Sequence, residues 1–269
     1  MTVTPDSPFR LILDEPANGR WNMAVDEALL ESVGDLGAPP TVRLYGFAPA
    51  TVSFGRFQRI RENIRRQAVE EAGITLVRRP TGGQAVLHDR ELTYAVVLGR
   101  DHLEPFHKRE IYRFIASMLL EGLIRLGIRG QSNRKRSGDL HNPDCFRSTG
   151  EYEIASGTAR KLIGSAQMIN RRASLQHGAI PLDASYQRLG EYLLLPEGAE
   201  REKPSCLAAE LGRPVGFEEA VKAFAEGFDR ALHRRNIRMR IGKLREREAE
   251  RAEVLLREKY SGDEWNLMY

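Results

Sequence analysis

Arg78-Arg79-Pro80-Thr81-Gly82-Gly83-Gln84-Ala85-Val86-Leu87-His88-Asp89 lies between two runs, Ile74 to Arg79 and Leu92 to Leu98, that read as strands. A double glycine straight after a strand lets bare backbone approach a ligand without interference from a Cβ atom, which makes this a candidate binding loop. Gly-Gly alone also suits a tight turn with a basic edge, and both readings stay open. The loop is neither a Walker A motif nor a dinucleotide fingerprint, because the glycine spacing and the Lys-Ser/Thr pair are missing.

Outward from the loop, Phe9 to Asp14 reads as a strand and Asn22 to Leu36 as a helix with Met23, Ala24, Ala28 and Leu29 on one side. Thr41 to Phe47 and Ala50 to Phe54 alternate like a strand pair around Pro49, and Ile60 to Ala72 reads as helical. Lys108 to Leu126 carries an apolar stripe of Ile111, Phe114, Ile115, Met118, Leu119 and Leu123, closed by Gly127, so it should lie on a sheet. Arg129 to Pro143 is polar, basic and rich in turn residues, the composition of a mobile loop. Tyr152 to Ala155, Lys161 to Ile169 and Ala173 to Pro181 read as further strands. From Pro204 the pattern is helical, with Phe217 to Leu232 amphipathic and Lys243 to Lys259 highly charged. The pattern predicts strands and helices mixed around a central sheet, with residues 1–200 as the main domain and 201–269 as a helical extension packed on it.

Composition narrows the function classes. At 269 residues and 41% hydrophobic the chain can bury a sizeable core. No apolar run approaches the roughly 18 residues of a membrane span, and Met1 to Arg10 lacks the apolar centre of a signal peptide, so a cytoplasmic protein without a membrane role is expected. Two cysteines, Cys145 and Cys206, are too few for a secreted disulfide scaffold of this size. A formal charge of +4, from 41 basic and 37 acidic residues, does not argue for nucleic acid and is compatible with an acidic protein partner.

Four features can carry chemistry. Cys145, in Asp144-Cys145-Phe146, follows a basic stretch with Arg134, Lys135 and Arg136, and nearby positive charge favours a thiolate nucleophile. A lone cysteine also serves as a small buried hydrophobe, a reading that suits Cys206 better. Lys161 opens the run Lys161-Leu162-Ile163-Gly164-Ser165-Ala166-Gln167, where burial would lower its pKa toward the range useful for proton transfer and small residues leave room beside it; an edge-strand lysine in solvent fits equally. His88 follows the glycine loop and His177 ends a strand, and each supplies hydrogen bonding whether structural or functional.

Taken in order, these segments resemble the lipoate-protein ligase and octanoyltransferase family, in particular its cysteine-dependent octanoyltransferase branch. The resemblance is carried by Trp21-Asn22-Met23-Ala24-Val25-Asp26-Glu27-Ala28, Arg43-Leu44-Tyr45-Gly46-Phe47, Pro49-Ala50-Thr51, the Arg79 to Asp89 loop with Glu91-Leu92-Thr93-Tyr94, Cys145-Phe146, Tyr152-Glu153, Lys161 with Gly164 to Gln167, Leu175 to Gly178, and Asp263-Glu264-Trp265-Asn266. It implies the α+β fold of biotin and lipoate ligases, a central mixed sheet flanked by helices. It also implies transfer of octanoyl from octanoyl-acyl carrier protein, through a thioester on Cys145, to a lysine of a lipoyl domain such as that of glycine cleavage H protein. Cys145 and Lys161 would then be catalytic, and Arg79, Thr81, Gly82, Gly83, His88, Gly164, Ser165, Ala166 and His177 would bind substrate, with no cofactor and no metal.

Lysine ligases of the same fold activate a free acid with ATP and do not need that cysteine, so Cys145-Phe146 decides between the branches. Other readings are an ATP-dependent lipoate ligase, a transferase whose donor is an octanoylated carrier domain, and a non-catalytic module that holds a lipoyl domain. Departures from the family pattern fall at Ala159 and Gln84, where glycine, or arginine or glycine, is usual, and at Gly150, where serine is frequent. They touch loop shape more than the proposed chemistry.

Overall fold

The computed structural model describes residues 8–60, 63–132, 137–138, 148–149, 154–157, 159–194 and 204–268. In chain order the main elements are β1 (Phe9–Leu13), α1 (Gly19–Asp35), β2 (Thr41–Tyr45), β3 (Thr51–Phe54), α2 (Arg66–Glu71), β4 (Thr75–Arg78), β5 (Val86–His88), β6 (Glu91–Gly99), α3 (Lys108–Arg125) and β7 (Gly130–Ser132). They continue with a two-stranded ribbon of β8 (Ser137–Gly138) and β9 (Ser148–Thr149), then β10 (Ile154–Ser156), β11 (Lys161–Ile169), β12 (Ala173–Pro181), α4 (Leu189–Tyr192), α5 (Leu207–Leu211), α6 (Phe217–His233), β13 (Met239–Gly242), α7 (Glu246–Leu255) and α8 (Asp263–Asn266).

An eight-stranded mixed sheet, ordered β13-β1-β2-β6-β12-β11-β10-β7, forms the centre, and a three-stranded sheet β4-β3-β5 stands beside it. The predicted α+β architecture is therefore found, a mixed sheet with helices on it. Helices α3 and α6 cover one side, where Phe114, Ile115, Met118 and Phe224 join Val42, Leu44 and Val96 in one core. Helix α1 packs Met23, Ala24, Ala28 and Leu29 with Val97 and Leu175 in a second. Burying these stripes drives the assembly, since a helix of this composition gains more from tertiary packing than from its own propensity. Helices α3 and α6 approach closely because Gly122 faces Gly227: a Cβ added at Gly227 would stand 2.3 Å from the Gly122 nitrogen.

Most boundaries fall within a residue or two of the sequence reading. Helix α1 begins three residues earlier than expected because the Asn18 side chain accepts from the Arg20 N–H and caps it. Four expectations are corrected. The stretch Arg129 to Pro143, read as a loop, begins with β7, whose backbone pairs with β10 at the edge of the large sheet. The runs Thr41 to Phe47 and Ala50 to Phe54 do not pair: β2 lies between β1 and β6, while β3 lies between β4 and β5. All nine residues of β2 and β3 are buried, so each strand has partners on both sides, and alternation cannot say which. The helix expected over Ile60 to Ala72 is confined to Arg66–Glu71, because the Asn63 carbonyl and the Arg65 N–H are taken up by Leu194 and Tyr192.

The tail is not wholly helical either. Met239–Gly242 adds β13 to the large sheet, parallel to β1. The charged helix α7 then returns over α1 and is tied to β1 by a buried pair in which Arg10 Nη1 and Nη2 meet Glu248 at 2.7 and 2.8 Å. No helix among the described residues is long and apolar enough to cross a membrane.

Candidate active site

The glycine loop connects β4 to β5 and is held from beneath by two adjacent arginines with different tasks. Arg79 is buried, donating from Nη2 to the carbonyls of Gly82 (3.0 Å) and Gln84 (2.7 Å) and from Nη1 to Ser53 Oγ (3.0 Å). Arg78 Nη1 reaches the carbonyls of Gly55 (2.8 Å), Arg56 (3.2 Å) and Gln58 (2.9 Å), fixing the neighbouring loop. The two loops touch so closely that a Cβ at Gly55 would stand 1.8 Å from the Gly83 carbonyl oxygen, and Gly83 itself sits at φ +93°. Here glycine is required at both positions. The C-terminal segment locks this base: Trp265 Nε1 donates to the Arg78 carbonyl at 2.8 Å, and Asn266 Oδ1 accepts from the Arg78 N–H at 3.0 Å.

Beside the loop lies a largely apolar cavity with about 360 Å³ of empty space, mouth included. Its wall contains Arg79, His88, Gly164, Ser165, Ala166 and His177, six of the residues singled out in the sequence. Thr81 is one hydrogen bond behind the wall, through His177. Gly82 and Gly83 belong to the loop rather than the wall. Lys161 begins β11 three residues before Gly164 and is buried, which answers the choice between a core and a solvent position. Gly178 also lines the cavity and keeps it open, since a Cβ there would fall 2.2 Å from the Gly164 carbonyl and 2.7 Å from the Tyr94 ring.

Two histidine relays flank the space. In the first, Thr81 Oγ1 lies 2.7 Å from His177 Nε2, and His177 Nδ1 lies 2.8 Å from Asp26 Oδ2. Asp26 also accepts from Tyr45 OH (2.8 Å) and from Arg43 Nη1 (2.9 Å), and Arg43 continues to Asp14 at 2.7 Å. Burial pushes the Asp26 carboxyl up, but the His177 hydrogen bond and the Arg43 charge outweigh it and hold the group below its ordinary value. Burial pushes His177 down, against the opposing pull of Asp26. The ring is then neutral at pH 7, with Nδ1–H donating to the carboxylate and Nε2 accepting from the Thr81 hydroxyl. In the second relay, His88 sits between Ser53 Oγ at 2.7 Å and Glu91 Oε1 at 2.6 Å, with Phe47 stacked on its ring at 4.0 Å.

Cys145, the residue on which the branch reading turns, lies outside the described residues, as do Arg134, Lys135 and Arg136. Cys206 is buried and unpaired, and burial raises its thiol pKa, as suits a packed hydrophobe rather than a nucleophile. Among the described residues no cluster of three or more His, Cys, Asp or Glu is arranged to hold a metal ion. Sequence reasoning missed the inner members of the site, Asp26, Arg43, Tyr45, Phe47 and Met23. A carboxylate on the apolar side of α1, three residues after Met23, was the available signal for Asp26.

Known proteins bear on the same arrangement. Octanoyltransferase LipM of Symbiobacterium thermophilum is 39% identical over 97% of this chain and 99% of its own length. Octanoyltransferase LipM of Bacillus subtilis is 37% identical over 96% and 97%. Among solved structures, a bipartite lipoate protein ligase from Thermoplasma acidophilum, studied with its E2 lipoyl domain, superposes with a TM-score of 0.78 at 28% identity, covering 97% of this chain and 96% of that one. Residues 18–229, which include Asp26, His88, His177 and the glycine loop, match the lipoyl protein ligase A/B catalytic domain, and the chain belongs to that family.

Proposed function

We propose that the protein is an octanoyltransferase of lipoate biosynthesis, moving octanoyl from octanoyl-acyl carrier protein through Cys145 to a lysine of a lipoyl domain such as that of glycine cleavage H protein. The observation that carries this reading is the end-to-end similarity to proteins named octanoyltransferase, at 39% identity over 97% of the chain. A cavity with an apolar wall and small residues along β11 is consistent with an eight-carbon acyl chain.

In the proposed reaction the Cys145 thiolate attacks the thioester carbonyl, the bond to the carrier sulfur breaks, and the carrier leaves as a thiol after taking a proton. The acceptor amine then attacks the acyl-enzyme carbonyl, the Cys145 sulfur departs, and the amine gives up a proton. A thioester is already activated, so neither step requires ATP. Lys161 would donate to the carbonyl oxygen as negative charge develops on it, which is where a preorganised donor accelerates acyl transfer most.

The runner-up is an ATP-dependent ligase, favoured by the lipoate protein ligase likeness at 28% identity. The two separate in a transfer assay with octanoyl-acyl carrier protein and an unmodified lipoyl domain. Transfer without ATP that disappears in Cys145→Ala supports the proposal. Transfer that needs ATP and survives the substitution selects the ligase.

A further inference from the structure

The loop carrying Arg56-Phe57-Gln58-Arg59 is tied to the catalytic-site rim and yet offers Arg56, Phe57 and Arg59 outward, while Gln58 turns back to accept from the Gly55 N–H. Phe57 is 72% exposed, and Arg56, Arg59, Arg65 and Arg66 are exposed with no carboxylate partner among the described residues. Isolated exposed hydrophobic residues are ordinary and by themselves mean nothing. What sets this one apart is its backbone, which the structure immobilises: three carbonyls of residues 55–58 accept from the single buried group Arg78 Nη1, and the Arg56 N–H donates to the Thr81 carbonyl at 2.8 Å. The Arg56 guanidinium lies 5.5 Å from the Phe57 ring and 6.0 Å from that of Trp265, so aromatic and cationic surface form one patch.

We propose that Arg56, Phe57 and Arg59 form the docking surface for the acyl acceptor, an acidic protein domain that presents its reactive lysine beside a small apolar patch. The inference rests on the acyl-transfer reading above, and reach decides between donor and acceptor. A donor on a long carrier arm can hand its acyl group into the cavity from a distance. A lysine carries its amine only a few ångströms beyond its own backbone, so the acceptor's surface must press on the rim. The loop that stacks directly on Gly82-Gly83 is that rim. Arginines and exposed aromatics on a preorganised backbone are the side chains that concentrate binding energy at protein interfaces. Surface charges also speed encounter with an oppositely charged partner in a salt-dependent way.

The test is calorimetric titration of an unmodified lipoyl domain into the full chain, from low salt to about 0.3 M, where screening shortens the reach of surface charge. Wild type is compared with the double variant Arg56→Glu, Arg59→Glu and with Phe57→Ser. The rate at which each protein takes octanoyl from octanoyl-acyl carrier protein is measured separately. Charge reversal should weaken acceptor binding at least about tenfold and flatten its salt dependence, and Phe57→Ser should weaken it with the salt dependence kept. Acyl loading should not change. Acceptor binding unchanged in both variants, an acceptor that does not bind wild type, or a loss confined to donor loading overturns the proposal. Wild type that binds the acceptor but never loads an acyl group refutes the acyl-transfer reading instead.

Discussion

Asp26 Oδ2 and His177 Nδ1 stand 2.8 Å apart, both side chains buried, joining helix α1 to strand β12 beside the cavity. Asp26 is simultaneously the counter-charge of the buried Arg43. Replacing it with alanine leaves that guanidinium, among the described residues, with the partly exposed Asp14 as its carboxylate partner. Removing one partner of a buried pair strands the other charge, so Asp26→Ala should lower unfolding stability by about 3 kcal/mol, read from the urea midpoint. A loss below about 1 kcal/mol would show that the relay is not a structural keystone.

The same pair sets a pH dependence. His177 titrates below its ordinary value of 6.5 in the folded state, so the unfolded chain binds the proton more readily. Its contribution to stability is complete above 6.5 and falls away as pH drops from there toward the folded-state pKa. His102, also lowered by burial, adds to the same slope. Substituting His177→Gln should therefore make the decline in Tm below 6.5 shallower without abolishing it. An unchanged slope would mean that His177 does not carry this linkage.

Ala159 occupies the left-handed region at φ +62°, directly before Arg160 and Lys161. A side chain costs about 1 kcal/mol there, which glycine avoids, although glycine also loses more chain entropy on folding. Ala159→Gly should leave a net gain of about 0.5 kcal/mol and raise Tm by about a degree or two. A fall in Tm would contradict the backbone assignment.

Gly178→Ala tests the cavity wall. The added methyl meets the Gly164 carbonyl and the Tyr94 ring, neither of which is the free end of a flexible side chain. Overpacking of this kind costs about 1–3 kcal/mol, so stability and acyl transfer should fall together. Full activity in this variant would place the acyl group elsewhere.

Lys161→Ala separates rate from affinity. On the proposed role, kcat and kcat/KM drop together by about 10²–10³ while KM holds, and Lys161→Arg does not restore them, because guanidinium is larger and does not give up a proton near neutrality. A rise in KM alone would make Lys161 a binding residue.

Much of this architecture was legible because its elements are strongly patterned. The stripe from Ile111 to Leu123 on α3 follows the helical period set by burial on one face, while the nine-residue strands β11 and β12 stand out as β-rich runs bounded by turn residues. Strand partners were not legible: β2 and β3 are equally buried, and only the packed sheet reveals that they part. Strand β13 escaped because four residues with two outward-facing members carry too weak a signal. At the site, the glycine loop and β11 announced themselves by composition. Asp26 and Arg43 did not, because a buried ion pair looks in sequence like any charge near an apolar run. The link from Trp265 and Asn266 to Arg78 spans nearly 190 residues of chain, beyond any local pattern.

The central claim is a covalent octanoyl group on Cys145, and intact-protein mass spectrometry after mixing with octanoyl-acyl carrier protein, without ATP, tests it most directly. The account predicts one octanoyl adduct, mapped to Cys145 by peptide analysis, absent in Cys145→Ala, retained in Cys206→Ala, and discharged when a lipoyl domain is added. No adduct, or one on another residue, would contradict it.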